Sequence, residues 1–151
     1  MPAIREPKEV NDFLRAHGVK PSYIRLKVMQ YLFSTRDHPN ADSIYRKISR
    51  EVPTLSRTSV YNTLKAFTGA GIVKEVMTEE NEIRYDAFTE RHGHFKCVAC
   101  GSLEDVELKC VSCCEGKDSA GRKIFDEQVY MFGLCASCAK KAADKETASG
   151  N

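Results

Sequence analysis

The sequence predicts an α+β protein: an N-terminal winged helix-turn-helix over residues 1–87, then a small domain with structural zinc over residues 88–151. Three observations predict this. Four segments before residue 72 carry apolar side chains at helical spacing. The apolar period then drops from about 3.6 to 2 across two short segments that bracket a polar turn. All seven cysteines fall after residue 96, and Cys97-x-x-Cys100 repeats its spacing at Cys135-x-x-Cys138.

The first helix is "PKEVNDFLRAHG", with Val10, Phe13 and Leu14 on one side and Gly18 as its stop. "PSYIRLKVMQYLFST" places Ile24, Val28, Tyr31 and Leu32 on one face, and "ADSIYRKISREV" does so with Ala41, Ile44, Tyr45 and Ile48 before Pro53. In "SRTSVYNTLKAFTGAG", Ser56 is the expected N-cap, Val60, Leu64 and Phe67 face inward, and glycines close the end. "IVKEVM" and "IRYDAF" then flank "TEENE" as a β-hairpin, the wing. Beyond it "HFKCVAC" and "SLEDVEL" read as strands and "KIFDEQVYMFGLC" as a longer one, while "CASCAKKAADKETASGN" reads as ending in a frayed polar tail.

Net charge is +2, but it is unevenly spread: residues 15–65 hold ten Lys/Arg against three Asp/Glu, whereas residues 87–151 hold nine against ten. In a helix-turn-helix the second helix of the motif enters the major groove. Here that helix exposes Arg57, Thr58, Ser59, Tyr61, Asn62 and Lys65. Any solvated helix face is polar. The local basic excess, the hairpin behind it and the scarcity of acidic neighbours favour double-stranded DNA as the partner.

No apolar run approaches the roughly 20 residues that span a bilayer, and the N-terminal segment lacks a signal-peptide core, so a cytoplasmic protein with no membrane partner is expected. In a reducing compartment, paired cysteines are metal ligands or redox thiols rather than structural disulfides. Two CxxC turns brought together make a tetrahedral S4 shell, which suits Zn(2+). Cys97, Cys100, Cys135 and Cys138 are therefore assigned to one closed structural zinc site. The role of Cys110, Cys113 and Cys114 is left open.

His92 and His94 are two apart, so on a strand both imidazoles project from one face. The zinc shell has no room for them, and any metal they hold is a separate ion. Asp86, Asp105 or Glu104, and His38 are the candidate co-ligands. A nitrogen and carboxylate set without thiolate suits Fe(2+), Mn(2+) or zinc.

Taken in order, "HPNADSIYRKI", "LSRTSVYNTLKAFTGAGIVKEV", "RYDAF", "HGHFKCVACG" and "CASC" resemble the ferric uptake regulator (Fur) family from about residue 8 to 141. The resemblance implies a homodimer with an N-terminal winged helix and a C-terminal α/β dimerisation domain. It also implies a regulatory Fe(2+) or Mn(2+) site of His38, Asp86, His92, His94 and Asp105, with both carboxylates Asp, as in the peroxide-responsive (PerR-like) branch. No histidine follows His94, and none of the five positions is a cysteine, which separates the chain from many iron- and zinc-uptake members. The stretch "CVSCCEGKDSAGR" departs from the family's usual dimerisation helix.

By that resemblance the chain is not an enzyme but a metal-dependent repressor. One ion holding both domains would set the separation of two recognition helices, which must match half-sites roughly 34 Å apart. Peroxide reacting at bound Fe(2+) would oxidise His38 or His92 and release operator DNA. Tyr61 and Arg57 are the expected recognition-helix contacts, and Lys20 and Arg25 those to phosphate or the minor groove. An iron- or manganese-uptake regulator without peroxide sensing is the alternative. A zinc deaminase would need H-x-E with P-C-x-x-C, which His92-Gly93-His94 does not supply. A zinc-stapled interaction module would hold the S4 ion alone.

Overall fold

The computed structural model describes residues 6–77, 82–90, 92–108, 120–125 and 127–148. The chain divides into two compact units, Met1–Glu90 and Arg91–Asn151.

The first unit is built from α1 (Pro7–Ala16), α2 (Tyr23–Ser34), α3 (Ala41–Ile48), α4 (Arg57–Gly69) and the antiparallel pair β1 (Lys74–Met77) and β2 (Ile83–Asp86). Side chains cap the later helices: Ser22 accepts from the Arg25 N–H, Asn40 from that of Ser43, and Ser56 from that of Ser59. Each cap satisfies a donor that the first helical turn leaves without an intrahelical partner. Gly18 and Gly71 take left-handed φ values of 73° and 69° just beyond α1 and α4, a conformation that costs glycine nothing.

The apolar faces meet in one core: Val10 and Leu14 of α1, Val28, Met29, Leu32 and Phe33 of α2, Ile44 and Ile48 of α3, and Val60, Leu64 and Phe67 of α4. Ile24, Tyr31 and Tyr45, placed on inner faces by their spacing, are only half-buried. Met29 and Phe33 complete the buried face of α2 instead.

The second unit is a three-stranded sheet in the order β4-β3-β5, followed by a helix: β3 (Gly93–Cys97), β4 (Leu103–Val106), β5 (Val129–Gly133) and α5 (Ala136–Ala148). β3 pairs antiparallel with β4 and parallel with β5. Two expectations are corrected here. The third strand is five residues, limited to the register that β3 can pair. The segment read as a frayed tail forms α5, because "ASCAKKAADKETA" is rich in strong helix formers and free of Gly and Pro. Cys110, Cys113 and Cys114 lie outside the described residues. No helix among the described residues is long and apolar enough to cross a membrane.

Candidate metal centres and nucleic-acid interface

β3 runs into a tight turn at Cys97, whose N–H donates to the Ser102 carbonyl at 2.9 Å, while the Val98 N–H donates to the Gly133 carbonyl at 2.8 Å. This fastens the first cysteine turn to the end of β5. Cys135 follows at once, and Cys138 sits in the first turn of α5, where the Ala139 N–H reaches the Cys135 carbonyl at 2.8 Å. The four sulfurs lie within 4.8 Å of one another, and all four cysteines are free. Cys100 Sγ and Cys135 Sγ are 3.9 Å apart. Tetrahedral zinc with Zn–S bonds of about 2.3 Å spaces its sulfurs by about 3.8 Å, so the set fits that ion.

The thiols also respond electrostatically. The Cys135 N–H, 3.3 Å from Cys97 Sγ, is the main cause that brings the Cys97 thiol down to about 6. The Ser137 hydroxyl, 3.2 Å from Cys135 Sγ, lowers Cys135. Cys138 moves the other way, pushed up to about 12 by hydrogen bonding to Cys135 and by burial. Four converging thiols cannot all ionise unless a cation joins them, which is what a bound metal supplies.

The nitrogen and oxygen donors occur in both units. In the first, His38 sits in the loop after α2 at a φ of 47°, uncommon for a residue with a Cβ, and is 2% exposed. That loop is tied to β2: the Tyr85 N–H donates to the Pro39 carbonyl at 3.0 Å, and Arg84 Nη1 reaches the His38 carbonyl at 3.5 Å. Asn40 Nδ2 donates to Glu82 Oε1, and Arg84 Nε to Glu82 Oε2 at 3.1 Å. Asp86, the last residue of β2, is buried with its Oδ2 3.7 Å from His38 Nε2. Two ligands about 2.1 Å from a shared ion lie roughly 3.0–3.6 Å apart, so this separation is close to that of a metal-bound pair.

In the second unit, His92 precedes β3 and His94 lies on it, with their Nε2 atoms 3.1 Å apart. Strand register brings one of the two candidate carboxylates beside them. Asp105 pairs with His94 across β3 and β4, whereas Glu104 pairs with Phe95 on the other face and is exposed. Asp105 Oδ1 is 3.5 Å from His92 Nε2. Gly93 keeps the strand close-packed between the histidines, since a Cβ there would meet Leu108 Cδ2 at 3.0 Å and Met131 Cε at 3.2 Å.

On the expected nucleic-acid face, Arg57, Thr58, Tyr61, Asn62 and Lys65 of α4 are exposed, and Tyr61 is 52% accessible. Ser59 is half-buried, its hydroxyl 2.8 Å from that of Ser56 in the cap. Lys20 is exposed, but Arg25 is half-buried and donates from Nη1 to the Lys20 carbonyl at 2.6 Å, bracing the entry to α2. Arg57 pairs with Asp42 of α3 and lies over the Tyr45 ring, a contact between residues 15 apart that the apolar pattern does not reveal.

A winged helix joined to a unit with a zinc-spaced cysteine set, both carrying buried nitrogen and oxygen donors, defines a metal-dependent regulator. Residues 16–132 match the Ferric uptake regulator family. The chain belongs to that family. It is 31% identical over 141 residues to the Peroxide operon regulator of Bacillus subtilis (strain 168), covering 92% of this chain and 97% of that protein. The Campylobacter jejuni peroxide stress regulator has the same fold at a TM-score of 0.65 and 26% identity, covering 87% of this chain and 97% of that one. The Helicobacter pylori ferric uptake regulator Fur superposes with a TM-score of 0.71 at 20% identity, over 92% and 97% of the two chains, a likeness of fold.

Proposed function

We propose that the protein is a peroxide-sensing transcriptional repressor that binds double-stranded operator DNA as a homodimer in its metal-loaded form. His38, Asp86, His92, His94 and Asp105 would ligate one regulatory Fe(2+) or Mn(2+), and Cys97, Cys100, Cys135 and Cys138 a structural Zn(2+). The observation that supports this best is the sorting of donors. The four described thiols gather at zinc spacing, while the imidazole and carboxylate groups are clustered in each unit without a thiolate. Iron and manganese take such nitrogen and oxygen sets. The similarity to proteins named for peroxide response adds to the reading.

In this scheme the winged-helix unit contributes His38 and Asp86, and the second unit contributes the other three ligands. A shared ion would bias the chain toward one arrangement only through tighter binding to it. Moving a population from 1:99 to 99:1 takes about 5.5 kcal/mol of differential affinity. Fe(2+) held by these five residues would supply the redox chemistry that activates peroxide, with peroxide as the two-electron oxidant and water as its by-product. His38 or His92 would be the imidazole that takes up one oxygen, and its loss as a ligand would release the operator.

The test compares Fe(2+)- and Mn(2+)-loaded protein on DNA selected from a random pool. Peroxide should free the Fe(2+) form but not the Mn(2+) form, and mass spectrometry should find one added oxygen on His38 or His92. Retention of the Fe(2+) form on DNA, with both histidines unmodified, would leave an iron- or manganese-uptake regulator as the better account.

A further inference from the structure

Arg57 occupies the first position of α4, and its Nη1 donates to Oδ1 of Asp42 in the first turn of α3. The guanidinium carbon stands 4.7 Å from the centre of the Tyr45 ring. The three side chains form one assembly on the outer surface of the helix-turn-helix.

Stability does not account for it. The Arg57 and Asp42 side chains are 57% and 52% exposed, and an ion pair that open to water adds little to folding. What the assembly fixes is direction. Asp42 takes Nη1, the guanidinium carbon lies over the Tyr45 ring, and no other described residue accepts from the guanidinium. The edge formed by Nε and Nη2 is left as an open two-donor fork.

That fork matches the paired acceptors O6 and N7 that guanine presents in the major groove. The N-terminal residues of a recognition helix are the ones that reach base edges. A side chain meant for phosphate gains nothing from a carboxylate beside it, which offsets its pull on the backbone and itself repels phosphate. A base-reading arginine gains from both partners, because they hold the planar group still before DNA arrives.

We propose that Arg57 reads one guanine in each half-site through Nε and Nη2, with Asp42 and Tyr45 as positioning residues that act through it. This rests on the reading of α4 as the recognition helix.

The experiment selects sequences from a random DNA pool with the Mn(2+)-loaded protein, the Arg57→Ala, Arg57→Lys and Asp42→Asn variants, and Tyr45→Leu. Binding of the selected site and its single-base replacements is then measured over a range of salt. The parent should show one fixed guanine per half-site, favoured roughly 5- to 150-fold over other bases. Arg57→Ala should lose that preference while the remaining positions keep theirs. Arg57→Lys should retain affinity but not discrimination. Asp42→Asn and Tyr45→Leu should weaken discrimination several-fold with an unchanged salt slope.

Two results overturn the assignment. One is an Arg57→Ala protein that binds every sequence equally more weakly, with a salt slope lower by about one, the signature of a lost phosphate contact. The other is an Asp42→Asn protein with its base preference intact. A parent protein that selects no sequence at all would remove the DNA-binding reading together with this one.

Discussion

Phe88 donates its backbone N–H to Asp86 Oδ1 at 2.8 Å, so that the other oxygen, Oδ2, is the one turned toward His38 Nε2, 3.7 Å away. In the proposed metal site, this turn would leave Asp86 to ligate through one oxygen. Phe88 is itself held, with Arg36 over its ring at 3.2 Å and the Phe33 ring edge-on at 6.5 Å.

Asp86→Asn keeps the turn and removes the charge. Its affinity for Mn(2+) should fall at least tenfold, as measured by electron paramagnetic resonance of the free ion, with the far-ultraviolet circular dichroism unchanged. Asp86→Glu would break the turn by one methylene and should fare no better than Asp86→Asn.

Zinc binding at the cysteine set should release protons. Cys138, pushed up to about 12, still carries its proton at neutral pH, so apparent zinc affinity should rise at least tenfold per pH unit between 7 and 8. Cys97 is depressed to about 6, so the stability its thiolate confers on the metal-free protein is present above its ordinary range and lost as pH falls through about 6. Zinc titrations against a competing chelator at several pH values would read the first effect, and urea denaturation of the metal-free protein over the same range the second.

Gly93→Ala tests the packing between the two histidines. The added methyl meets two side-chain ends at 3.0 and 3.2 Å, so the strand yields by a few tenths of an ångström rather than unfolding. Mn(2+) affinity should drop by about tenfold while zinc content, read by atomic absorption, stays at one ion per chain.

Phe67→Ala should destabilise the winged-helix unit by about 3–5 kcal/mol, since Phe67 is fully buried among four helices. Ser56→Ala, which removes the cap of α4, should cost about 1 kcal/mol. Urea denaturation followed by tyrosine fluorescence would order the two, and equal losses would contradict the packing described.

The helices were legible because burial repeats at their own period: Val60, Leu64 and Phe67 announce α4 before any contact is known. The zinc set was legible because a doubled CxxC spacing is rare by chance. α5 was obscured by its polarity, since a helix with no apolar stripe gives no periodic signal and only composition speaks for it. Spacing alone left Asp105 and Glu104 both open; the family resemblance named Asp105, and strand register puts it opposite His94. The left-handed backbone at His38 and the reach of Arg57 to Asp42 are tertiary outcomes, without a local signature in the residues beside them.

One strand of five residues carries a donor for each kind of ion: His94 near its start and Cys97 at its end, three residues and about 10 Å apart, on opposite faces. β3 is therefore a ruler fixed at one end by thiolates. Under the proposed assignment, zinc starvation would release the cysteine end of β3 and let the His94 imidazole shift with its chemistry intact. If the proposed function holds, the cell would then lose its response to oxidants with every histidine undamaged.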